Sequence, residues 1–200
     1  MRYSHGLSLV ETVIVVGILS LLMTSLVIGI ISFYRSQRFV LEQALAINEA
    51  RRGVKTMMKE IREARPGDDG SYPLALADDQ EIIFFSNIDQ DSAVERVRYF
   101  LDGSLLKKGV IKPTGSPPRY QTQDEEIFIL SKYVRNQENP IFTYFNENWP
   151  SDQEALPTPS RLRETKLIQL YLLINVNPQS LPKSFELSSN SQIRNLKTNL

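Results

Sequence analysis

The stretch Gly6-Leu7-Ser8-Leu9-Val10-Glu11-Thr12-Val13 opens a long apolar run near the start of the chain. Residues 7–31 contain a single charged side chain, that of Glu11. A run of this length can cross a bilayer, because about 20 apolar residues in a helix span the hydrocarbon core. The sequence therefore predicts a transmembrane helix over residues 7–31.

Glu11 is the anomaly within this run. An ionised carboxylate is costly in lipid unless a cationic group pairs with it. If the chain is cut between Gly6 and Leu7, the new α-amino group of Leu7 supplies such a cation. Residues 7 and 11 then lie one turn apart on the same helix face. The pair can close within one chain or between neighbouring chains that are staggered along a fibre.

The residues Gly6-Leu7-Ser8-Leu9-Val10-Glu11 resemble the leader junction of type IV pilins and type II secretion pseudopilins. In that family a short charged leader ends in Gly, and Glu is the fifth residue after the cut. Residues 1–6, with Arg2 and His5, fit such a leader. The chain departs mildly from the family pattern, with Leu7 where Phe is commoner and Val10 where Ile or Leu is commoner.

This resemblance implies that a prepilin peptidase cleaves after Gly6 and that Leu7 is N-methylated. It also implies an assembly role for Glu11. The expected location is the cytoplasmic membrane as a single-pass protein with its N-terminus inside, and then a pilus or pseudopilus outside that membrane. The charges flanking the run, Arg2 before it and Arg35 and Arg38 after it, slightly favour the opposite topology. The orientation therefore comes from the resemblance alone.

Secretory signals and plain membrane anchors match the apolar run less well. A secretory signal has an apolar region of about 7–15 residues and a small-residue cleavage site, and this run has neither feature. A plain membrane anchor accounts for the length of the run but not for the position of Glu11 beside Gly6.

Composition limits the chemistry that the chain can perform. It contains 23 basic and 23 acidic residues, no cysteine, and one histidine, His5, which lies in the predicted leader. The usual zinc sites and the Ser-His and Cys-His nucleophiles are therefore absent after cleavage. We expect no enzymatic activity, cofactor, metal or small-molecule substrate. A balanced charge also argues against a nucleic-acid partner.

The helix is expected to continue beyond the membrane. No proline occurs between Leu7 and Arg65, and Pro66-Gly67 then ends the helical pattern. The segment 32–65 is predicted to be amphipathic and to pack on a head domain formed by residues 66–200. Its apolar stripe is expected at Val40, Ala44, Ile47, Val54, Met57, Met58 and Ile61.

The polar face of this segment contains six basic and three acidic residues: Arg51, Arg52, Lys55, Lys59, Arg62 and Arg65, with Glu49, Glu60 and Glu63. It either binds an anionic partner or is a solvated face with local ion pairs. We favour the solvated face.

Residues 66–200 are rich in strand patterns. Strands are predicted over 81–86, 94–101, 104–111, 126–134, 141–145, 166–177 and 185–187. In the sixth of these, Ile168, Leu170, Leu172, Ile174 and Val176 alternate onto one face, which is expected to pack against the helix. The fold class is α+β: a long N-terminal helix packed on an antiparallel sheet. This is the order of elements in the pilin fold.

A weaker resemblance points to J-type minor pseudopilins and related minor pilins. Its elements are Ile82 to Phe85, Asp89-Gln90-Asp91, Val97-Arg98-Tyr99 and Gly103-Ser104-Leu105, with Ile193-Arg194-Asn195 near the end.

Three further features of the head are candidate sites. Asn87, Asp89, Asp91 and Glu95 alternate like calcium ligands, but an EF-hand loop requires Gly and Glu where Ser92 and Arg98 stand. A polar hairpin turn is the favoured interpretation. Asp124-Glu125-Glu126 is better explained as a solvated strand entrance than as acid–base machinery. Trp149, in the proline-rich segment 146–164, either anchors a partner or folds back on the sheet edge, which we favour.

The resemblance to type IV pilins and pseudopilins implies a prepilin that matures into a minor subunit of a filament, such as a tip subunit. Its expected partners are prepilin peptidase, other pilin or pseudopilin subunits, and the lipid bilayer before assembly. One rival is a membrane-anchored binding module for adhesion or DNA uptake. A second is a membrane-anchored enzyme, which the missing His and Cys disfavour.

Overall fold

A computed structural model of the chain describes residues 8–89, 91–158, 160–178 and 184–196. Its elements, in chain order, are α1 (Leu9–Arg62), β1 (Leu74–Ala77), β2 (Glu81–Ser86), β3 (Glu95–Asp102), β4 (Leu105–Ile111), β5 (Glu126–Ser131), β6 (Phe142–Phe145), α2 (Arg161–Glu164), β7 (Leu167–Ile174) and β8 (Phe185–Gln192). The structure is α+β, as predicted. The chain divides into two compact units, Met1–Glu42 and Gln43–Leu200.

Five strands form an antiparallel meander in the order β1-β2-β3-β4-β5. Asp102 pairs with Leu105, so the β3–β4 hairpin has a two-residue loop. Its first residue, Gly103, has a φ of +60°, which glycine adopts readily and which suits the twist of a hairpin. The sequence predicted this turn, whereas strand β1 was not predicted.

The remaining strands form a second antiparallel sheet in the order β6-β7-β8. Strand β7 is central, and its burial alternates as the sequence predicted, with four residues fully buried on one face: Ile168, Leu170, Leu172 and Ile174. Strand β8 continues to Gln192, five residues beyond the predicted end at Leu187, because every residue from Phe185 onward pairs with β7.

The two sheets meet just after β5. The sequence predicted β5 as far as Val134, but the strand ends at Ser131 because Tyr133 adopts a φ of +62°, outside the extended region. Val134 then donates a hydrogen bond from its N–H to the Ser104 carbonyl (3.0 Å) and forms a bridge with Ile174. Val134 thus connects the five-stranded sheet to β7 of the second sheet.

In the unit from Gln43 onward, α1 buries one side against both sheets. Val54, Met57, Met58 and Ile61 belong to the core, as predicted. The start of the predicted stripe is wrong: Ala44 is exposed and Val40 is 57% exposed, whereas Ala46 and Ala50 are buried. Small side chains at these two positions allow the helix backbone to approach the strands closely.

A buried amide fixes this part of α1 to the end of β7. The Gln43 side chain donates a hydrogen bond to the Ile174 carbonyl (3.1 Å) and accepts one from the Val176 N–H (2.9 Å). One side chain therefore satisfies a backbone donor and a backbone acceptor where the strand ends. Buried polar groups that are paired in this way specify the alignment of the packed elements.

A buried ion pair fixes α1 to the five-stranded sheet. Glu60 is only 7% exposed; its two carboxylate oxygens accept hydrogen bonds from the Tyr99 hydroxyl and the Lys108 ammonium, each at 2.6 Å. Burial, together with the charge of Glu60, raises the pKa of Tyr99 well above its ordinary value, so its hydroxyl remains a neutral donor. The sequence placed Glu60 on the solvated face, and that assignment is wrong.

Replacing Lys108 with Met should lower the free energy of unfolding of the head by about 3–5 kcal/mol, because it leaves the buried Glu60 carboxylate without its cation. Urea unfolding of the full chain in detergent, followed by the fluorescence of Trp149, measures the change. The matched control is Lys107→Met, which removes an ion pair with the largely exposed Asp102 and should cost no more than about 1 kcal/mol. Similar small losses in both variants would show that the buried pair is dispensable.

A shortened chain that begins at Ser36 should be folded and monomeric, because it keeps the compact unit from Gln43 onward. A chain that begins at Gly67 should aggregate instead, because the apolar face of β7 loses the helix that covers it. Size-exclusion chromatography and circular dichroism distinguish the two outcomes. A well-folded, monomeric chain starting at Gly67 would contradict the packing of α1 on the sheets.

Candidate functional site

The first turn of α1 holds Glu11. Ser8 precedes the helix, and its hydroxyl oxygen accepts a hydrogen bond from the Glu11 N–H at 3.3 Å. The spacing Ser8-Leu9-Val10-Glu11 is that of a capping box. A carboxylate in the first turn is also favoured by the partial positive charge of the helix N-terminus. Glu11 therefore has a local helix-stabilising role besides any role in assembly.

The first half of α1 presents an apolar surface. Among the described residues, α1 is the one helix that is long and apolar enough to span a membrane. Its large side chains are exposed, among them Leu9 (80%) and Leu21 (73%). The hydroxyls of Thr12, Ser20 and Thr24 each donate a hydrogen bond to the carbonyl oxygen one turn earlier. These bonds lower the free-energy cost of placing the hydroxyls in an apolar medium. Glu11 is the charged group on this surface.

The predicted cleavage site, Gly6 and Leu7, lies outside the described residues. The structure thus describes one of the three predicted site residues, Glu11, and its surroundings. The predicted division of the chain at residues 31 and 65 stays a prediction, although α1 itself ends at Arg62.

The exposed side of the second half of α1 is more basic than the sequence suggested. All six basic residues that the sequence placed on this side are exposed; five of them lie in α1, and Arg65 follows its end at Arg62. Of the three acidic residues, Glu60 is buried and paired with Lys108, whereas Glu63 is exposed and Glu49 is half-buried. The guanidinium of Arg51 lies 5.1 Å from the centre of the Phe185 ring.

The predicted polar turn between β2 and β3 gathers three carboxylates. One oxygen from each of Asp89, Asp91 and Glu95 lies within 4.8 Å of the others. The Lys112 ammonium contacts Asp89 (2.5 Å) and Asp91 (3.8 Å). The hydrogen bond from Lys112 lowers the pKa of Asp89. The Asn87 side chain donates to the Asp91 carbonyl at 2.5 Å, which closes the turn.

The acidic run at residues 124–126 contributes to an ion-pair cluster on the sheet. Glu125 accepts a hydrogen bond from the Arg98 guanidinium (3.3 Å), and Arg98 also pairs with Glu81 on β2 (2.6 Å). These two carboxylates raise the pKa of Arg98. Asp124 and Glu126 are exposed. The solvated strand entrance that the sequence favoured thus holds for Asp124 and Glu126, whereas the Glu125 side chain is only 10% exposed.

The Trp149 segment folds back on the sheet, as favoured. The Trp149 ring lies 6.5 Å from the ring of Phe145 on β6. Further along, Leu156 is buried, and its N–H donates to the Tyr144 carbonyl at 2.9 Å. Arg161 fixes the end of the segment through its ion pair with Asp79 (2.8 Å).

One surface was not anticipated from the sequence. Strand β5 is the edge of the five-stranded sheet, and it exposes Ile127, Phe128 and Ile129 by about half each. The uninterrupted apolar run Ile127-Phe128-Ile129-Leu130 is the pattern of a strand that is buried on both faces. The sequence pattern predicts a buried strand, but the structure exposes it. This disagreement identifies β5 as an unusual apolar surface.

Comparison with known proteins adds no assignment. No protein-family model matches the chain, and no curated protein matches it significantly. The architecture, a long apolar N-terminal helix followed by antiparallel sheets, is compatible with the pilin fold.

Proposed function

We propose that the chain is a prepilin, which after cleavage becomes a minor subunit of a type IV pilus or a type II secretion pseudopilus. The observation that carries the proposal is Glu11, a carboxylate in the first turn of a helix whose exposed surface is otherwise uncharged over residues 12–31. The leader-like sequence before it and the pilin-like architecture after it support the same function.

The physical mechanism has two stages. In the membrane, the apolar half of α1 holds the subunit in lipid, with the N-terminus inside. During assembly, this half moves from lipid into a fibre, where it is buried among copies or partner subunits. Both environments are apolar, so the helix surface alone does not determine the alignment of neighbouring subunits.

The charge of Glu11 supplies that alignment. Prepilin peptidase cleaves after Gly6 and methylates Leu7, and the amine remains cationic. In the fibre, Glu11 of one subunit pairs with the Leu7 amine of a neighbour. Any other stagger leaves two charges unpaired in an apolar core, at a cost of several kcal/mol. The first turn of α1, capped by Ser8, holds the carboxylate in place.

The mature chain should therefore begin at Leu7 with a methylated amine. Mass spectrometry of the N-terminal peptide from membrane and sheared-filament fractions measures this. Replacing Gly6 with a bulky residue should leave uncut precursor in the membrane. An intact Met1 terminus in cells with active prepilin peptidase would contradict the proposal.

Glu11→Gln should leave insertion and cleavage intact while it reduces incorporation into filaments by about two orders of magnitude or more. The amide keeps the size of the side chain but cannot neutralise a neighbouring amine, and removing one partner of a buried ion pair costs about 3–5 kcal/mol. The measurement is the ratio of subunit in sheared filaments to subunit in membranes, with cleavage monitored in the same samples.

Ser8→Ala is the matched control for this variant. It removes the hydroxyl that caps α1, at a cost of about 1 kcal/mol to the helix end, and keeps the carboxylate. Incorporation should stay close to that of the original chain. If Ser8→Ala and Glu11→Gln reduce incorporation equally, Glu11 acts through the helix end and not through a neighbour's amine.

The exposed basic side of α1 favours a second candidate function, a membrane-anchored module that binds an anionic partner such as DNA. Burial of Glu60 removes one acidic residue from that side and leaves exposed five basic residues of α1, with Arg65 just after its end. DNA binding by the full chain in detergent should then weaken steeply with salt. Replacing Arg52 and Lys55 with Gln should weaken it further. Absence of binding at low salt would exclude this function.

A further inference from the structure

Strand β5 is an open edge of the five-stranded sheet. Such an edge presents a row of backbone N–H and C=O groups that no strand of its own sheet pairs. Ile127, Phe128 and Ile129 are each about half exposed on it. Proline, charged side chains and bulges usually protect edges of this kind from pairing with another chain. Residues 127–130 contain neither proline nor charge, and the irregularity in the β4–β5 register falls only at Leu130.

The other edges of the two sheets differ from β5. The Arg161 guanidinium donates a hydrogen bond to the Ala77 carbonyl of β1 (3.4 Å), and α2 packs beside that strand. At β6, the Leu156 N–H donates to the Tyr144 carbonyl (2.9 Å). Strand β8 is an edge whose exposed side chains are polar: Glu186, Ser188, Asn190 and Gln192. Among these described edges, β5 is therefore the one that combines an open backbone with apolar side chains.

A groove of about 520 Å³ lies between β5 and α1, within the unit from Gln43 onward. Gly53 allows the helix and the strand to approach closely here, because a Cβ at this position would lie 3.2 Å from the Leu130 Cβ. Ile129 and Lys132 line the strand side of the groove, and Arg52 lines the helix side. The apolar edge thus leads into a region that contains two cationic side chains.

The charges along this edge have a definite order. Asp124 and Glu126 are exposed at the start of β5, whereas Lys132 and Arg52 are exposed near its end. None of the four has an ion pair within 4.0 Å among the described residues. An extended segment that runs antiparallel to β5 matches these charges when an acidic residue precedes its apolar residues and a basic residue follows them.

We propose that β5 binds an extended segment of another protein, which adds to the five-stranded sheet as a sixth strand. The segment runs antiparallel to β5, the orientation of every other pair in this sheet. Its acidic residue lies beside Lys132 and Arg52, its alternating apolar residues lie along residues 127–130, and its basic residue lies beside Glu126. Backbone hydrogen bonds supply the affinity, and the side chains select the sequence.

A second copy of β5 has the same order of charges, but its geometry is unsuitable. Phe128 pairs with Lys108, whose ammonium contacts Glu60. Leu130 lies against Gly53, about two turns earlier in α1. Strand β5 therefore runs antiparallel to α1. Two copies of β5 in an antiparallel pair are related by a two-fold axis normal to the sheet, which also reverses α1. Two chains anchored in one membrane by α1 do not meet in this way.

The exclusion of a second copy rests on membrane anchoring by α1. The inference does not otherwise depend on the proposed role in filaments, because β5 lies in the unit from Gln43 onward. Glu11→Gln should therefore leave binding at β5 unchanged, whatever its effect on assembly.

Fluorescence anisotropy of a labelled synthetic peptide tests the proposal. The probe is Glu-Val-Thr-Val-Thr-Val-Lys with capped ends, titrated with the full chain in detergent and compared with empty micelles. Binding should be saturable and should slow hydrogen–deuterium exchange within residues 126–130. The control peptide exchanges the terminal Glu and Lys. It should bind about tenfold more weakly, because like charges then face each other at both ends of β5.

Two variants of the chain locate the site. Ile127→Lys places a charge on the apolar edge and should weaken binding of the probe by about tenfold or more. Its matched control, Tyr72→Lys, changes an exposed aromatic side chain outside β5 and should leave the affinity unchanged. Lys132→Glu should abolish most of the difference in affinity between the two peptides. All three positions are exposed, and circular dichroism verifies that each variant is folded.

Four results would overturn the proposal. The first is the absence of saturable binding of the probe by the unaltered chain. The second is equal affinity in Ile127→Lys and Tyr72→Lys. The third is equal affinity of the unaltered chain for the two peptides, since the order of charges then plays no part. The fourth is a homodimer of the unaltered chain, crosslinked in membranes, that Ile127→Lys abolishes. That result would assign the edge to a second copy.

Discussion

The packing of one side of α1 against both sheets, from Gln43 to Ile61, is the interaction on which the head depends. Each sheet needs the helix to cover its apolar face. The buried faces of β3 and β7 both belong to the core cluster that contains Ala50, Val54 and Met57. Two polar anchors align this packing. Gln43 completes the backbone hydrogen bonds at the end of β7, and Glu60 pairs with Lys108 on β4. Apolar contacts supply stability, and the anchors specify one arrangement.

In this arrangement the two halves of α1 have different roles. The residues of α1 from Gln43 onward pack on the sheets, whereas residues 9–31 expose large apolar side chains. In the proposed function, the apolar half first holds the subunit in lipid and then enters the fibre, where Glu11 and the Leu7 amine determine the stagger between subunits. The head can fold whether the apolar half of α1 lies in lipid or in a fibre, because its core and its polar anchors all lie from Gln43 onward.

Periodicity in the sequence was sufficient to predict most of the fold. The alternation from Ile168 to Ile174 gave both the strand and its buried face, and Asp102-Gly103 gave the β3–β4 hairpin. Strand β1 was missed because its residues, Leu-Ala-Leu-Ala, have weak strand propensity and depend on pairing with β2. Burial of Glu60 was missed because its partner, Lys108, is 48 residues away in sequence. The same holds for Glu95 at the start of β3, whose complete burial depends on tertiary packing.

The central claim is that the apolar half of α1 becomes buried among other filament subunits. Site-specific photo-crosslinking at Leu21, a side chain that is 73% exposed, tests it most directly in cells with and without the assembly ATPase. The account predicts a crosslink to another pilin-like subunit that requires the ATPase, since only assembly brings a second helix against this surface. Equal crosslinking in both strains, or crosslinking to lipid alone, would contradict the claim.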